Sequence, residues 1–464
     1  MSVIYVALFA AYMFLHTTTL HLGSHGGTAL LSTMEQARLY YVHQIFIVLG
    51  FLSFSAMRRF LTARQSQRVL TVASMSVYVL GTVTLFSAQT AFTYRYIASA
   101  TIFCLGYLGG HVYWRMAVSL RESRRMGLIM GVGCAVAYAL QFPLQLWRGV
   151  SPLLPVVMLA AFVTLAYLLF SEDVPDNGSS ERPDATQGRT LTISLLCACV
   201  VTTALVVLVN YYDGYIERMQ VSTGYGAYNA FSWPRLLLVP CYLLFGRLGD
   251  VKGGKYSPLS ACCPILATLL IPVLVNSGDA YWLNMCLFYI AIAAMITYYN
   301  LTFWRLAPKT RHSSLWASMG RVIDGAVGVT LGLSSFSASS IAVVTLVEVV
   351  SLTVLAIALS LDMYSGLPST LRAVPVFSDE GTVPPVYADS VMEVIRKTCD
   401  LSERESEVLR EWLNTEDTQK AIAQRLFISP NTLRKHINAV YTKTDRHSRD
   451  ALRALADETL RSQP

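Results

Sequence analysis

The most chemically specific residues of this chain lie near its C-terminus, in the segment AIAQRLFISPNTLRKHI. Helical spacing after Pro430 predicts one apolar face, made of Leu433, Ile437, Val440 and Tyr441. The outward face then carries polar and cationic side chains: Asn431, Thr432, Arg434, Lys435, Asn438 and Thr442. Guanidinium, ammonium and amide groups hydrogen-bond to base edges in the major groove of DNA. The spacing therefore favours a helix that recognises nucleic acid.

Local end signals predict the helices that position this face. Ser402 and Glu405 have the spacing of a capping box, which predicts a first helix from this point. A second helix is predicted over residues 418–426, followed by a turn at residues 427–429. Ser429 is the predicted N-cap of the third helix, with Pro430 at its first position. A fourth helix is predicted over residues 447–460.

The stretches LSERESEVL, IAQRLFISPNTLRKHI and HSRDAL resemble the LuxR-type (NarL/FixJ-like) helix-turn-helix domain. The resemblance implies that the third helix enters the major groove, with Asn431 on its outward face. It implies that the residues reaching base edges are Arg434, Lys435 and Asn438. It implies that the residues near phosphates are Thr432, His436, Lys443, Arg446 and Ser448. The implied partner is double-stranded operator DNA, bound by a homodimer.

One departure from the family pattern falls just after the third helix. Thr444 and Asp445 stand where the family usually has Leu-Gly. The fourth helix, which dimerises in the family, follows directly. We therefore expect a loosened fourth helix and a weak or ligand-controlled dimer.

The rest of the chain has the composition of a membrane protein. Of its 464 residues, 54% are hydrophobic and 14% charged, with a mean hydropathy of +0.46. The charges are concentrated at the end of the chain, because residues 391–464 hold 25 of them and the first 390 residues hold 40. The predicted organisation is a membrane domain (1–363), a proline-rich linker (364–390) and a DNA-binding domain (391–464).

Twelve apolar runs have the length needed to cross a bilayer as helices. An acidic, Pro- and Ser-containing loop at residues 171–189 separates the two halves, 1–170 and 190–363. The predicted spans are approximately residues 3–21, 40–57, 69–88, 96–114, 126–144, 152–170, 190–210, 231–246, 257–276, 281–303, 317–337 and 340–362. The predicted fold is therefore all-α, with 6 + 6 transmembrane helices followed by a four-helix domain.

Loop charges predict the orientation of these spans. Alternate loops carry sixteen Lys and Arg residues, whereas the others carry four. The positive-inside rule then places the basic loops and both termini in the cytoplasm. The predicted location is a bacterial cell (inner) membrane, with the lipid bilayer as a partner.

The 6 + 6 division resembles the major facilitator superfamily, and one loop motif supports the resemblance. GRLGDVKGGK, which includes Gly246, Asp250 and Gly253, is similar to that family's cytoplasmic loop motif. The resemblance implies a charge relay between Asp250 and basic residues at neighbouring helix ends. The equivalent first-half loop, MRRFLTARQSQR, has neither glycine nor aspartate, which makes active transport the less favoured interpretation.

Polar residues within the predicted spans are candidates for a ligand site, because burying them in lipid is costly. The candidates for a small-molecule site are His16, His43, Asn210, Tyr211, Asp213, Trp233, Arg235 and His111. Arg321 and Asp324 are three residues apart on one predicted helix, which is the spacing of a local ion pair. The small-residue seams Gly127–Gly131 and Gly325–Gly328–Gly332 predict close helix packing.

Two functions from different classes fit this sequence. The first is a membrane-embedded one-component transcription regulator, in which the membrane domain senses a small molecule and the tail binds DNA. The alternative is a transporter of the major facilitator type with a regulatory DNA-binding tail. We find no enzymatic arrangement of nucleophile and base, and no metal or cofactor motif, so no cofactor is predicted.

Overall fold

The computed structural model divides into two compact units, Met1–Val376 and Phe377–Pro464. The boundary between them falls within the segment predicted as a linker. The structure describes residues 2–25, 33–61, 63–87, 90–121, 123–146, 153–171, 185–223, 233–251, 261–262, 281–333, 349–350, 353, 389–414, 419–446, 452, 455–456 and 458–459.

The first unit is built from long apolar helices. Their bounds are α1 Ser2–His25, α2 Thr33–Phe60, α3 Arg64–Ser87, α4 Ala91–Ser119, α5 Met126–Leu146, α6 Leu153–Ser171, α7 Ala185–Thr223, α8 Leu238–Asp250, α9 Tyr281–Leu306 and α10 Ser313–Leu333. A short 3₁₀ helix, Trp233–Leu237, leads into α8. Each of these helices overlaps a predicted span, because every one of those runs is apolar for most of its length.

Seven helices of the described residues are long and apolar enough to cross a membrane. They are Val3–Gly23, Arg38–Phe60, Gln65–Ser87, Met126–Leu144, Leu153–Ser171, Leu191–Asn210 and Tyr281–Lys309. The predicted spans at residues 257–276 and 340–362 lie almost wholly outside the described residues. The unit is therefore a multi-helix apolar bundle, and the twelve-helix, 6 + 6 count stays a prediction.

The helix bundle is held together by one large apolar core and by close approaches of glycine backbones. The predicted seam at Gly127 and Gly131 of α5 packs against Gly246 of α8. A Cβ added at Gly131 would lie 2.3 Å from the Tyr242 carbonyl oxygen, so these two helices pack at a distance that only glycine permits.

The second unit contains short amphipathic helices: α11 Asp389–Thr398, α12 Glu403–Asn414, α13 Gln419–Arg425 and α14 Pro430–Thr444. The last three correspond to the predicted first, second and third helices. The predicted fourth helix lies mostly outside the described residues, but Leu452 and Ala456 are helical and buried in this unit's core.

Helix α11 was not predicted from the sequence. It buries Val391, Met392 and Ile395 against Leu409 and Leu413 of α12. The i, i+1, i+4 spacing of these apolar residues was the available signal, although it spans little more than one turn. The predicted domain at residues 391–464 therefore contains a helix before the predicted first helix.

Candidate functional site

Helix α14 begins at the predicted cap. Ser429 has an extended backbone, and its Oγ accepts a hydrogen bond from the Thr432 N–H at 3.1 Å. Pro430 occupies the first turn, where its missing N–H leaves no bond unmade. These contacts confirm the predicted start of α14 and fix the direction in which its side chains project.

One face of α14 is buried and the opposite face is open. Leu433, Ile437 and Val440 are at most 4% exposed and pack into the apolar cores of the unit. The exposed residues Asn431, Arg434, Lys435, Asn438 and Thr442 follow helical spacing on the other side. Thr432 and His436 are partly buried at the edges of this face. The helix therefore presents a continuous polar and cationic stripe.

Two residues predicted near phosphates, Arg446 and Lys443, differ in their surroundings. Arg446 is exposed directly after α14, and Ser448 lies outside the described residues. The Lys443 ammonium donates to Glu405 Oε2 at 2.8 Å and to the Asp400 carbonyl oxygen at 3.0 Å. Lys443 thus links the end of α14 to the start of α12. A Lys443 that also contacted a DNA phosphate would bind the phosphate and Glu405 with the same ammonium group.

The capping box of α12 is formed as predicted. The Ser402 N–H donates to Glu405 Oε2 at 2.8 Å, and the Glu405 N–H donates to Ser402 Oγ at 3.3 Å. The hydrogen bond from Lys443, followed by those from Ser402, lowers the pKa of the Glu405 carboxyl below its usual value. Glu405 therefore serves both as a helix cap and as the acceptor that holds α14 against α12.

The turn between α13 and α14 is tight and carries an unusual residue. Phe427 has a φ of 55° and is 95% exposed. The Ile428 N–H donates to the Ala423 carbonyl oxygen at 2.9 Å, which closes the end of α13. Arg404 of α12 donates to the Leu426 carbonyl oxygen at 2.7 Å. This combination sets the angle at which α14 leaves the turn.

Thr444 and Asp445 form a regular end of α14, while the fourth helix, whose loosening was predicted, lies mostly outside the described residues. Asp445 adopts the left-handed conformation, with φ 51° and ψ 38°, and its N–H donates to the Tyr441 carbonyl oxygen. The Arg446 N–H donates to the same carbonyl at 3.1 Å. Thr444 is buried, and its hydroxyl donates to the Val440 carbonyl oxygen at 2.7 Å. The Thr-Asp pair thus forms an ordinary helix end without glycine.

The predicted ligand residues of the first unit have separate surroundings. His111 stacks on Phe54 with ring centroids 5.3 Å apart, and Trp233 lies 5.9 Å from Trp282. Arg235 donates to Gln141 Oε1 at 3.2 Å and lies over the Tyr138 ring.

The remaining ligand candidates lie on α1, α2 and α7. The Asn210 amide donates to the Val206 carbonyl of its own helix at 2.8 Å, and Tyr211 and Asp213 follow on α7 with side chains outside the described residues. His43 is fully buried and lies beside Gly23 of α1. His16, on α1, belongs to a cluster that the sequence did not predict.

That cluster surrounds Arg321. Arg321 Nη1 donates to Asp324 Oδ2 at 2.7 Å and to the Tyr299 hydroxyl at 2.9 Å. Arg321 Nη2 lies 2.5 Å from His16 Nε2. The local Arg321–Asp324 pair was predicted, but its contact with His16 of α1 was not.

The loop-motif residues join three helices. The Asp250 carboxylate accepts from the Gly127 N–H at 2.7 Å and from the Leu128 N–H at 2.8 Å, at the first turn of α5. Arg305 of α9 lies 3.5 Å from the same carboxylate and donates to the Gly249 carbonyl oxygen at 2.7 Å. Gly246 lies in the α5–α8 seam, and Gly253 lies outside the described residues.

Comparison with known proteins identifies the C-terminal segment. Residues 400–456 match the family described as "Bacterial regulatory proteins, luxR family". The second unit therefore carries a LuxR-type helix-turn-helix domain, which implies DNA binding. No curated protein sequence matches the chain.

Proposed function

We propose that this protein is a membrane-embedded one-component transcription regulator. Its membrane unit binds a small molecule, and its C-terminal unit binds operator DNA as a homodimer. Arg434, Lys435 and Asn438 contact base edges, with Asn431 beside them on the same face. The phosphate contacts come from Thr432, His436, Lys443, Arg446 and Ser448. The chain sits in a bacterial inner membrane with both termini in the cytoplasm.

The observation that supports the proposal most is the open polar stripe of α14. It is presented by a luxR-family segment on the same chain as seven helices suited to crossing a membrane. The stripe leaves Arg434, Lys435 and Asn438 exposed at i, i+1 and i+4, which matches the reach of a recognition helix into one groove.

The mechanism is a shift between two populations of the membrane unit. A ligand that binds one conformation more tightly shifts the population toward it, and the C-terminal units become more or less available for pairing. Confinement to the membrane plane raises the effective concentration of two such units, so that a weak dimer suffices on paired half-sites.

The double substitution R434A/K435A tests the DNA contacts. The probe is a duplex that the wild-type protein selects from a random library. Each base contact contributes about 1–3 kcal/mol of discrimination, so we expect a loss in specific affinity of roughly 30-fold or more. Fluorescence anisotropy at two salt concentrations measures it.

K397A/R410A is the matched control, because it removes two exposed cations outside α14 and changes net charge equally. We expect its affinity for the duplex to stay within about threefold of wild type, since the two substitutions remove only long-range electrostatic attraction to the DNA. Equal loss in both variants, or no loss in R434A/K435A, would show that α14 is not the recognition helix.

The alternative function is a major-facilitator-type transporter with a regulatory DNA-binding tail. The contact that favours it is Asp250, whose carboxylate joins α8 to α5 and to Arg305 of α9. Such a contact would hold α8 against α5 and against α9 in one conformation and release both in another, as alternating access requires.

A further inference from the structure

The hydrogen bonds around Arg321 fix the tautomer of His16. A guanidinium only donates, so His16 Nε2, 2.5 Å from Arg321 Nη2, must be the acceptor. The proton of the neutral ring is then on Nδ1, which lies 3.2 Å from the Tyr12 hydroxyl. His16 of α1 is therefore a neutral acceptor for a cation on α10.

The cluster lies well inside its helix, and its ion pair keeps part of its accessible surface. Arg321 and Asp324 lie about 12 and 17 Å along the axis from the start of α10. Their side chains keep 14% and 21% of their accessible surface. Tyr12, His16 and Tyr299 are at most 2% exposed, so the ion pair keeps accessible surface where these neighbours keep almost none.

Two polar groups close to the cluster are incompletely hydrogen-bonded among the residues that the structure describes. The Asn300 amide lies beside the Tyr113 hydroxyl, and neither completes a hydrogen bond of normal geometry in the described part of the chain. Tyr113 is within electrostatic range of Arg321 and Asp324. An unsatisfied buried polar group costs about 1–3 kcal/mol, which a ligand supplying the missing partner would recover.

The hydrogen-bonding atoms of the ion pair that make no described bond define the kind of ligand that would fit. The described bonds of Arg321 use Nη1 and Nη2, and those of Asp324 use Oδ2. Arg321 Nε can therefore donate to an acceptor, while Asp324 Oδ1 can accept from a donor. The pair is electroneutral, so a ligand with net charge would leave an unbalanced charge at this depth, at a cost of several kcal/mol.

We propose that Arg321 and Asp324 form a binding site for a small zwitterion, an amino acid in its common charge state. The ligand carboxylate binds Arg321 in place of His16, and the ligand ammonium binds Asp324 Oδ1. The Asn300 amide and the Tyr113 hydroxyl bind polar atoms of the same molecule. The exchange separates α1 from α10, which is the conformational bias that the sensing role requires; this assignment rests on the proposed function.

Thermal unfolding of the full-length protein in nanodiscs tests the site, with each of the twenty amino acids as a probe at millimolar concentration. We expect at least one to raise the apparent Tm by roughly 2 °C or more, since ligand binding to the folded state stabilises it. The matching deaminated carboxylic acid and decarboxylated amine should give no shift. A response to none of the twenty, or an equal response to a one-charge analogue, overturns the proposal.

The double variant R321Q/D324N removes both charges together and keeps polar side chains at both positions, so no unpaired charge is left buried. We expect it to fold and to lose the amino-acid shift. E35Q/R95Q is the matched control, because it removes another ion pair, between the side chains of Glu35 and Arg95, which are 43% and 44% exposed. E35Q/R95Q should keep the rise in Tm that the amino acid causes. A shift that survives in R321Q/D324N overturns the assignment.

Operator binding separates this proposal from the proposed function. R321Q/D324N should still bind the selected duplex specifically through α14, with an affinity that the amino acid no longer changes. If no amino acid acts and the duplex is still bound specifically through α14, the zwitterion site fails and the DNA-binding function stands.

Discussion

At the scale of single residues, the DNA-binding unit depends on how its helices end. Asp445 ends α14 in the left-handed conformation, where a residue other than glycine is strained by about 1–2 kcal/mol. Aspartate tolerates the conformation better than most residues do. The hydrogen bonds from Asp445 and Arg446 to Tyr441 show that the helix end is complete nonetheless.

Substituting Asp445→Gly should stabilise the isolated unit Phe377–Pro464. Glycine adopts this conformation without strain, so we expect a gain of about 0.5–1 kcal/mol, or a Tm several degrees higher. Circular dichroism melts measure the change. Asp445→Ala keeps a Cβ and loses the polar side chain, so it should lower Tm. The same sign for both variants would contradict the strain argument.

Glu405 makes the stability of this unit depend on pH. Its pKa is lowered in the folded state by Lys443 and Ser402. The stabilisation is therefore full above the unfolded pKa of about 4.3 and is lost as pH falls through the lower folded value. In E405Q we expect lower stability at pH 7 by about 1 kcal/mol and a weaker decline on acidification.

Urea unfolding of the unit at pH 7, 5, 4 and 3.5 measures this. Glu403→Gln is the control, because Glu403 lies in the same helix turn, is exposed and does not accept from Lys443 in the described contacts. Glu403→Gln removes one negative charge, as E405Q does. If both variants follow the same pH curve, the Glu405–Lys443 contact does not contribute to stability.

At the scale of elements, helix packing depends on where glycine faces a neighbouring backbone. In the α5–α8 seam the atom facing Gly131 is the Tyr242 carbonyl oxygen, which cannot move without its helix. At Gly328 of α10, a Cβ would lie 3.7 Å from Asn210 Oδ1, which is ordinary contact. The two glycines were predicted from similar spacing but have different packing roles.

Gly131→Ala should destabilise the full-length protein, while Gly328→Ala should not. The first forces two backbones apart and we expect a cost of about 1–3 kcal/mol. The second adds a methyl group where space exists and replaces glycine in a helix, so Tm should stay equal or rise slightly. Thermal unfolding in detergent compares them. Equal effects would show that α5 and α8 can separate freely.

At the scale of the whole molecule, the chain combines an apolar helical unit with a polar one, each with its own core. The regulator and transporter interpretations differ in what the first unit does with its ligand. A sensor binds its ligand, whereas a transporter accumulates it. This difference is measurable without the DNA-binding unit.

Vesicles containing the chain truncated after Leu367 should bind a stabilising amino acid without accumulating it. We expect bound label proportional to the protein present and independent of an imposed proton gradient, because the first-half loop lacks the Gly and Asp of the transport motif. Filtration of vesicles with labelled amino acid measures this. Accumulation above the external concentration would favour the transporter.

The sequence by itself determined the local features: apolar runs long enough for helices, the caps at Ser402 and Ser429, and the two faces of α14. These depend on residues within a few positions of each other, where capping and periodicity act. The tertiary structure decided which distant groups meet. Asp250 reaches Gly127 across 123 residues, Lys443 reaches Glu405 across 38, and Arg321 reaches His16 across 305. Such pairings depend on helix crossings and registers, which are set by the packing of the entire bundle and not by any single segment.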